Sequence, residues 1–157
     1  MPSFTEVVPG VHRVMEGVWW FSGVRGSNVY LLRLPSGAHV LVDAGMPGSD
    51  GAIRQRLEAL GITHVDAILL THRHVDHAGG AARRREALGA RVVAGAGDVV
   101  DGRVRGDRRI PTPACPVDLV LPPEECEPLP GLLAIPSPGH TAGSTMYVVP
   151  SLDVWCI

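Results

Sequence analysis

Residues 71–77 read Thr-His-Arg-His-Val-Asp-His and directly follow the apolar run Ala67-Ile68-Leu69-Leu70. Three imidazoles and a carboxylate thus fall within six consecutive positions at the end of a short buried strand. If the chain leaves that strand still extended, His72, His74 and Asp76 project to one side, because strand side chains alternate with a period of two. His77 joins them once the backbone turns into the helix that the next residues suggest. Neutral imidazoles and a carboxylate suit zinc and other borderline divalent metals. A metal site at the end of a strand is the reading that organises the rest of the chain.

Around that segment the sequence alternates between strand and helix signals. Val11–Met15, Val18–Phe21, Val29–Leu34 and His39–Val42 are β-rich runs, separated by Gly17, Gly23, Gly26 and Pro35-Ser36-Gly37. Asp43-Ala44-Gly45 closes the last of them. A helix is predicted over Ser49–Leu60, with Ile53, Leu57 and Leu60 on one face and Gly61 just past its end. Ala67–Leu70 reads as a buried strand, Asp76–Leu88 as a second helix ending at Gly89, and Arg91–Ala94 as another strand. Such alternation argues for an α/β architecture. Between Gly95 and Pro130 the prolines 111, 113, 116, 122, 123, 128 and 130 break any long helix. That stretch is expected to be mostly loop or lid, with a strand near Val117–Leu121. Leu132–Ile135 restores a strand, and Thr145–Val149 and Val154–Ile157 read as an antiparallel pair joined by Pro150-Ser151-Leu152-Asp153.

Composition bounds the function classes. The 157 residues suit one domain, and 45% hydrophobic with 19% charged residues describes an ordinary globular chain. A net charge of −2 makes no bulk electrostatic case for nucleic acid or an anionic membrane. The local run Arg83-Arg84-Arg85 is expected to be a solvated helix face. All 14 cationic residues are Arg, which with abundant Ala, Gly, Val and Pro fits a GC-rich bacterial genome. Cys115, Cys126 and Cys156 form no Cys-x-x-Cys pair and fit a reducing compartment better than a disulfide framework. No signal peptide or membrane span is visible, so the expectation is a soluble, cytoplasmic protein.

A second site-like signal is Pro138-Gly139-His140-Thr141-Ala142-Gly143-Ser144, reached from the strand Leu132–Ile135. Two glycines flank a single histidine in a tight turn, and the Ser144 hydroxyl reads as support for that turn. With the first cluster it offers the third imidazole of a three-His zinc site. The combination of His72-x-His74-x-Asp76-His77, Pro138-Gly139-His140-Thr141 and the earlier Leu41-Val42-Asp43-Ala44-Gly45 resembles the metallo-β-lactamase superfamily of metal-dependent hydrolases. Order and spacing of all three elements fit, over nearly the whole chain.

The resemblance implies an αββα sandwich with metals at the edge between its two sheets. His72, His74 and His140 would hold the first metal, while Asp76 and His77 would contribute to the second. Asp43 would support the ligand loops through hydrogen bonds that keep imidazoles in the right tautomer. The chemistry implied is activation of water, whose pKa falls from near 16 to about 7 on zinc. Asp76 is the catalytic candidate, orienting the nucleophile and passing its proton to the leaving group. Zinc is the expected metal, with iron or manganese open, and the partner a small-molecule substrate with an ester, thioester, lactone or similar bond. His at position 74 points away from the redox di-iron branch, whereas His after Asp76 resembles the thioesterase and lactonase branches. A mononuclear-iron persulfide dioxygenase shares much of the motif and stays open. His12, His39 and His64 read as surface or strand-edge residues.

The family's Gly-Asp pair, whose carboxylate bridges two metals, and its last histidine have no counterpart in this sequence. Asp153 precedes the final strand rather than following it. The expectation is therefore an incomplete sandwich lacking its C-terminal part, with one metal bound and a tendency to self-associate through uncovered strand edges. The competing class is a metal-binding or assembly module without catalysis of its own.

Overall fold

A computed structural model of the protein describes residues 5–15, 26–105 and 113–157. Strands β1 (Thr5–Val8), β2 (Val11–Met15), β3 (Val29–Arg33) and β4 (His39–Val42) run antiparallel in sequence order. β5 (Ala67–Leu69) and β6 (Arg91–Gly95) then add in parallel to β4. Three two-residue strands, β7 (Val99–Val100), β8 (Arg103–Val104) and β9 (Cys115–Pro116), make a small antiparallel sheet. β10 (Leu119–Leu121) returns to pair with β6, giving a seven-stranded sheet in the order β1-β2-β3-β4-β5-β6-β10. β11 (Cys126–Leu129), β12 (Leu132–Pro136), β13 (Thr145–Val149) and β14 (Val154–Cys156) form a second, antiparallel sheet.

The period-two alternation of the central strands divides the core into two layers. Leu31, Leu41, Ile68, Val92 and Ala94 face one side, where they pack with Ile53, Leu57, Ala81 and Leu88 of the helices. Leu32, Val40, Val42, Leu69 and Val93 face the other, against Leu132, Ala134, Tyr147 and Val149 of the second sheet. Parallel strands buried on both faces read as near-continuous apolar runs, which is why Ala67–Leu70 was legible. The order is helices, large sheet, small sheet: an incomplete αββα sandwich. On the outer face of the small sheet Trp155 is exposed, and among the described residues no α-helix covers it.

Helix α1 (Asp50–Ala59) begins after Ser49 and ends at Leu60, with Gly61 at φ +73° just beyond. The second predicted helix is broken. It consists of a single turn, α2 (Val75–Ala78), and α3 (Ala81–Leu88), separated by Gly79-Gly80. The break follows from close packing of the 44–47 loop. A methyl group on Gly80 would overlap the Arg84 guanidinium and approach the Ala44 carbonyl oxygen to 2.5 Å. Backbone bonds Ala44 N→His77 O (2.6 Å) and Gly80 N→Gly45 O (2.9 Å) fasten the loop to this kink.

Two further expectations are corrected. Arg84 is not on a solvated face: it shares the inward face of α3 with Ala81 and Leu88 and is 3% exposed. Its Nη2 donates to Ser49 Oγ at 2.7 Å, and burial pushes its pKa down to about 10 despite nearby Asp50. The i, i+3, i+7 spacing of Ala81, Arg84 and Leu88 puts Arg84 on that inward face, while Arg83 and Arg85 on either side point outward. The proline-rich 95–130 stretch keeps much irregular chain among its described residues and the expected strand near Val117–Leu121 as β10, but it also holds β7, β8, β9 and β11, which were not anticipated. Pro116 and Pro128 are accommodated in short strands of minor pairing. β1 was not anticipated, while the predicted strand Val18–Phe21 lies outside the described residues.

The two sheets are stitched together at one end. Tyr147, fully buried on β13, donates its hydroxyl to Leu70 O at 2.9 Å, and Thr145 N donates to Thr71 O at 2.8 Å. Both acceptors lie at the exit of β5, where the histidine segment begins. Tyr147→Phe leaves the Leu70 carbonyl without its side-chain partner and should lower the unfolding free energy by about 1–3 kcal/mol. Urea denaturation of the two chains checks this; equal midpoints and slopes would mean the bond contributes nothing.

Candidate metal centre

The site is built where the parallel strands β4, β5 and β6 end. Open α/β sheets place their functional groups at the carboxyl ends of such strands. β4 ends in Asp43, β5 leads into Thr71 and the histidines, and β6 leads into Asp98. The turn after β12 brings in His140 from the second sheet.

Four imidazoles converge there. Ring centroids of His72 lie 4.8 Å from His74, 4.0 Å from His77 and 4.7 Å from His140, and His74 lies 4.6 Å from His140. One nitrogen from each of His72, His74 and His140 lies within 4.8 Å of the others, and His74 Nδ1 is 2.9 Å from His140 Nε2. Tetrahedral zinc with Zn–N of 2.0–2.1 Å places its nitrogens about 3.3 Å apart. Separations between 2.9 and 4.8 Å bracket that spacing. The donor set fits a borderline divalent ion with only small ring adjustments.

Asp43 organises the rings from beneath. It is buried, with φ +64°, a left-handed conformation that a short polar side chain tolerates. Its Oδ1 accepts from Thr71 N (2.8 Å), and Thr71 Oγ1 lies 3.0 Å from both carboxylate oxygens. His77 Nδ1 lies 2.6 Å from Oδ2. A carboxylate oxygen only accepts, so the His77 proton sits on Nδ1 and its Nε2 faces outward as the free nitrogen. Thr71 has one hydroxyl proton and gives it to Asp43. Its lone pairs then accept from His72 Nδ1 at 3.1 Å, which leaves His72 Nε2 as the unprotonated donor. One carboxylate therefore sets two tautomers, one directly and one through Thr71.

Asp76 stands on α2 with its Oδ2 3.5 Å from His77 Nε2. Its side chain and that of His77 are each about one-fifth exposed, at 23% and 21%. His77 and Asp43 line a cleft of about 720 Å³ between the sheets, bounded by Val7, Tyr30, Val42 and Val154. The structure thus gathers all five sequence-predicted ligand positions in one region, with His72, His74 and His140 the three whose ligand atoms all lie within 4.8 Å of one another. His64 is exposed, and His12 and His39 are partly exposed on β2 and at the start of β4, all three outside the imidazole cluster. Ser144 supports the 138–144 turn as expected, its Oγ accepting from Thr141 N at 3.0 Å.

The sequence reading missed Thr71 and Asp98. Asp98 is buried, and its carboxylate contacts both ligand-bearing loops. Its signal was available: a lone acid in a run of small residues directly after a parallel strand.

Burial, with His77 close by, pushes the His72 ring down from 6.5 to about 4. Burial also opposes charging of His77, but its bond to Asp43 and the nearby Asp76 outweigh that and raise its pKa. For His72 the unfolded chain takes up a proton more readily than the folded one. Its contribution to stability is therefore full above pH 6.5 and is lost as pH falls toward 4. His77 acts oppositely, favouring the folded state at lower pH. In metal-free protein, His72→Asn should flatten the loss of thermal stability across the window from pH 6.5 to 4; an unchanged profile would show that His72 titrates normally.

Comparisons with known proteins agree with this geometry. Residues 22–154 match the model of the metallo-beta-lactamase superfamily. A hydroxyacylglutathione hydrolase of Acidiphilium cryptum is 33% identical over 114 residues, covering 71% of this chain and 40% of that protein. A probable metallo-hydrolase of Bacillus subtilis, YflN, is 41% identical over 78 residues, 47% of this chain and 26% of its own. Among solved structures, a metallo-β-lactamase of Cronobacter sakazakii superposes with a TM-score of 0.68 at 32% identity, covering 91% of this chain and 58% of that one. The chain spans well under two thirds of the length of each of these relatives. With its family match, its fold and its cluster of imidazoles at the strand ends, the chain belongs to the metallo-β-lactamase superfamily.

Proposed function

We propose that this protein serves as a metal-dependent hydrolase acting on an ester, thioester, lactone or similar bond of a small molecule. The observation that carries the reading is the convergence of His72, His74 and His140 within reach of one ion, beside Asp76 and His77. In this reading His72, His74 and His140 hold the first ion, with zinc the best match to a three-imidazole set. Asp76 and His77 offer two donors toward a second. A bound divalent ion supplies Lewis acidity, bringing ionisation of water to about pH 7 and polarising the scissile carbonyl.

The chain's own groups do the rest. Asp43 and Thr71 hold His72 and His77 with their free nitrogens outward, so no ring has to change tautomer. His72, with its pKa near 4, is neutral at physiological pH and has no proton to lose on binding a cation. Asp76, beside His77 Nε2, orients the attacking water and carries its proton to the leaving group. A glutathione thioester is the first substrate to try, because one relative carries the name hydroxyacylglutathione hydrolase.

His74→Ala should remove most of the metal that co-purifies with or is titrated into the chain, since two imidazoles rarely hold zinc tightly. Metal analysis should find about one ion per wild-type chain, and equal content in the variant would end the three-imidazole assignment. In metal-loaded protein with measurable thioesterase or lactonase activity, Asp76→Asn should cut kcat by about 10²-fold or more while the first ion stays bound. Undiminished turnover in that variant would remove Asp76 from proton transfer.

A further inference from the structure

The three imidazoles come from two loops far apart in sequence. His72 and His74 leave β5 of the large sheet; His140 sits in the turn after β12 of the small one. Centroid spacings of 4.7 and 4.6 Å from His140 to His72 and His74 need these loops to hold a fixed separation. Ring contacts alone do not secure it, because His140 is exposed.

Asp98 bridges the two loops. Toward the first, its Oδ2 accepts from Arg73 N at 3.0 Å, and Arg73 Nε lies 3.6 Å from Oδ1. Arg73 is the residue between His72 and His74. Toward the second, Oδ2 accepts from Thr141 Oγ1 at 2.7 Å and Oδ1 from Gly143 N at 3.1 Å. Thr141 directly follows His140. The Asp98 side chain is 2% exposed, so these bonds operate away from competing water. The turn that carries it is closely fitted as well: a methyl group on Gly97 would overlap the Ala142 carbonyl. All four partners are donors, which a carboxylate satisfies with two accepting oxygens and an amide cannot.

We propose that Asp98 is a positioning residue for the metal centre, its buried carboxylate tying the His72–His74 loop to the His140 loop and so setting the span across which the imidazoles converge. The inference rests on the three-imidazole reading above but adds a residue outside the ligand set. Asp118 supplies a control. It lies at the opposite end of β6, accepts from Val92 N at 2.8 Å and from Arg85 Nε and Nη2 at 3.0 and 2.7 Å, and contacts neither loop.

The test compares Asp98→Asn, Asp118→Asn, His140→Ala and the double variant Asp98→Asn/His140→Ala, titrating each metal-free chain with zinc and with cobalt(II). Asp98→Asn should weaken binding by about 10–100-fold, the range seen when groups that orient ligands are lost. It should also alter the visible cobalt spectrum, whereas Asp118→Asn should leave both unchanged. On the His140→Ala background Asp98→Asn should add no further loss, because the residue through which it acts is gone. Wild-type affinity and spectrum in Asp98→Asn would overturn the inference while leaving the metal site intact, as would equal weakening with and without His140. If His140→Ala binds metal like wild type, the three-imidazole reading fails and this inference with it. Should Asp98→Asn not fold, Thr141→Val, which removes one bond to the His140 loop, is judged by the same criteria.

Discussion

A buried carboxylate has to find donors, and Asp43 finds them in the segment that carries the histidines. Left without partners inside the protein it would cost several kcal/mol, on the order of the whole margin of folding. Its bonds to Thr71 N, Thr71 Oγ1 and His77 Nδ1 therefore do two things at once. They fasten the end of β4 to the exit of β5 and the first turn of α2, and they orient two imidazoles. The kink at Gly79-Gly80 and the contact of Ala44 with His77 follow from bringing these chain segments so close.

The layered architecture puts this arrangement at a useful place. Alternation along β4, β5 and β6 sends one set of side chains to the helices and the other to the second sheet. Among the described residues, loops and the single turn α2 cover the strand ends. Tyr147 and Thr145 pull the second sheet onto the exit of β5, and that contact brings the His140 turn within reach of His72 and His74. Asp98 closes the circuit between the loops. The site is thus a seam between two sheets, held by buried polar bonds rather than by the rings themselves.

Much of this could be read in advance. The density of histidines after an apolar strand, the His140 turn and the Asp43-Ala44-Gly45 ending were all visible, because metal ligands are few in kind and their spacing is local. The strands of both cores were legible for the same reason: burial on one or both faces leaves a pattern within five or six residues. Arg84 was misjudged because the run was read by its charge, although Ala81, Arg84 and Leu88 share the spacing of one helix face. The continuous second helix failed because helical periodicity does not register a neighbouring loop that needs glycine backbone beneath it. Of the short strands after Gly95, β10 was legible near Val117–Leu121, whereas β7, β8, β9 and β11 escaped because two to four residues carry almost no pattern, and proline within β9 and β11 argues the wrong way.

Sequence by itself determined the ligand types, their grouping into two motifs, and the α/β alternation that carries them. These depend on side-chain chemistry and on periods shorter than a dozen residues. Tertiary structure alone decided which nitrogen of each ring is free, how close the two motifs approach, and that Thr71 and Asp98 belong to the site. Such properties arise from hydrogen bonds between residues 25 to 45 positions apart. Those bonds exist only once the parallel strands have assembled, and the ones from Asp98 to Thr141 and Gly143 only once both sheets have packed; no local pattern records them.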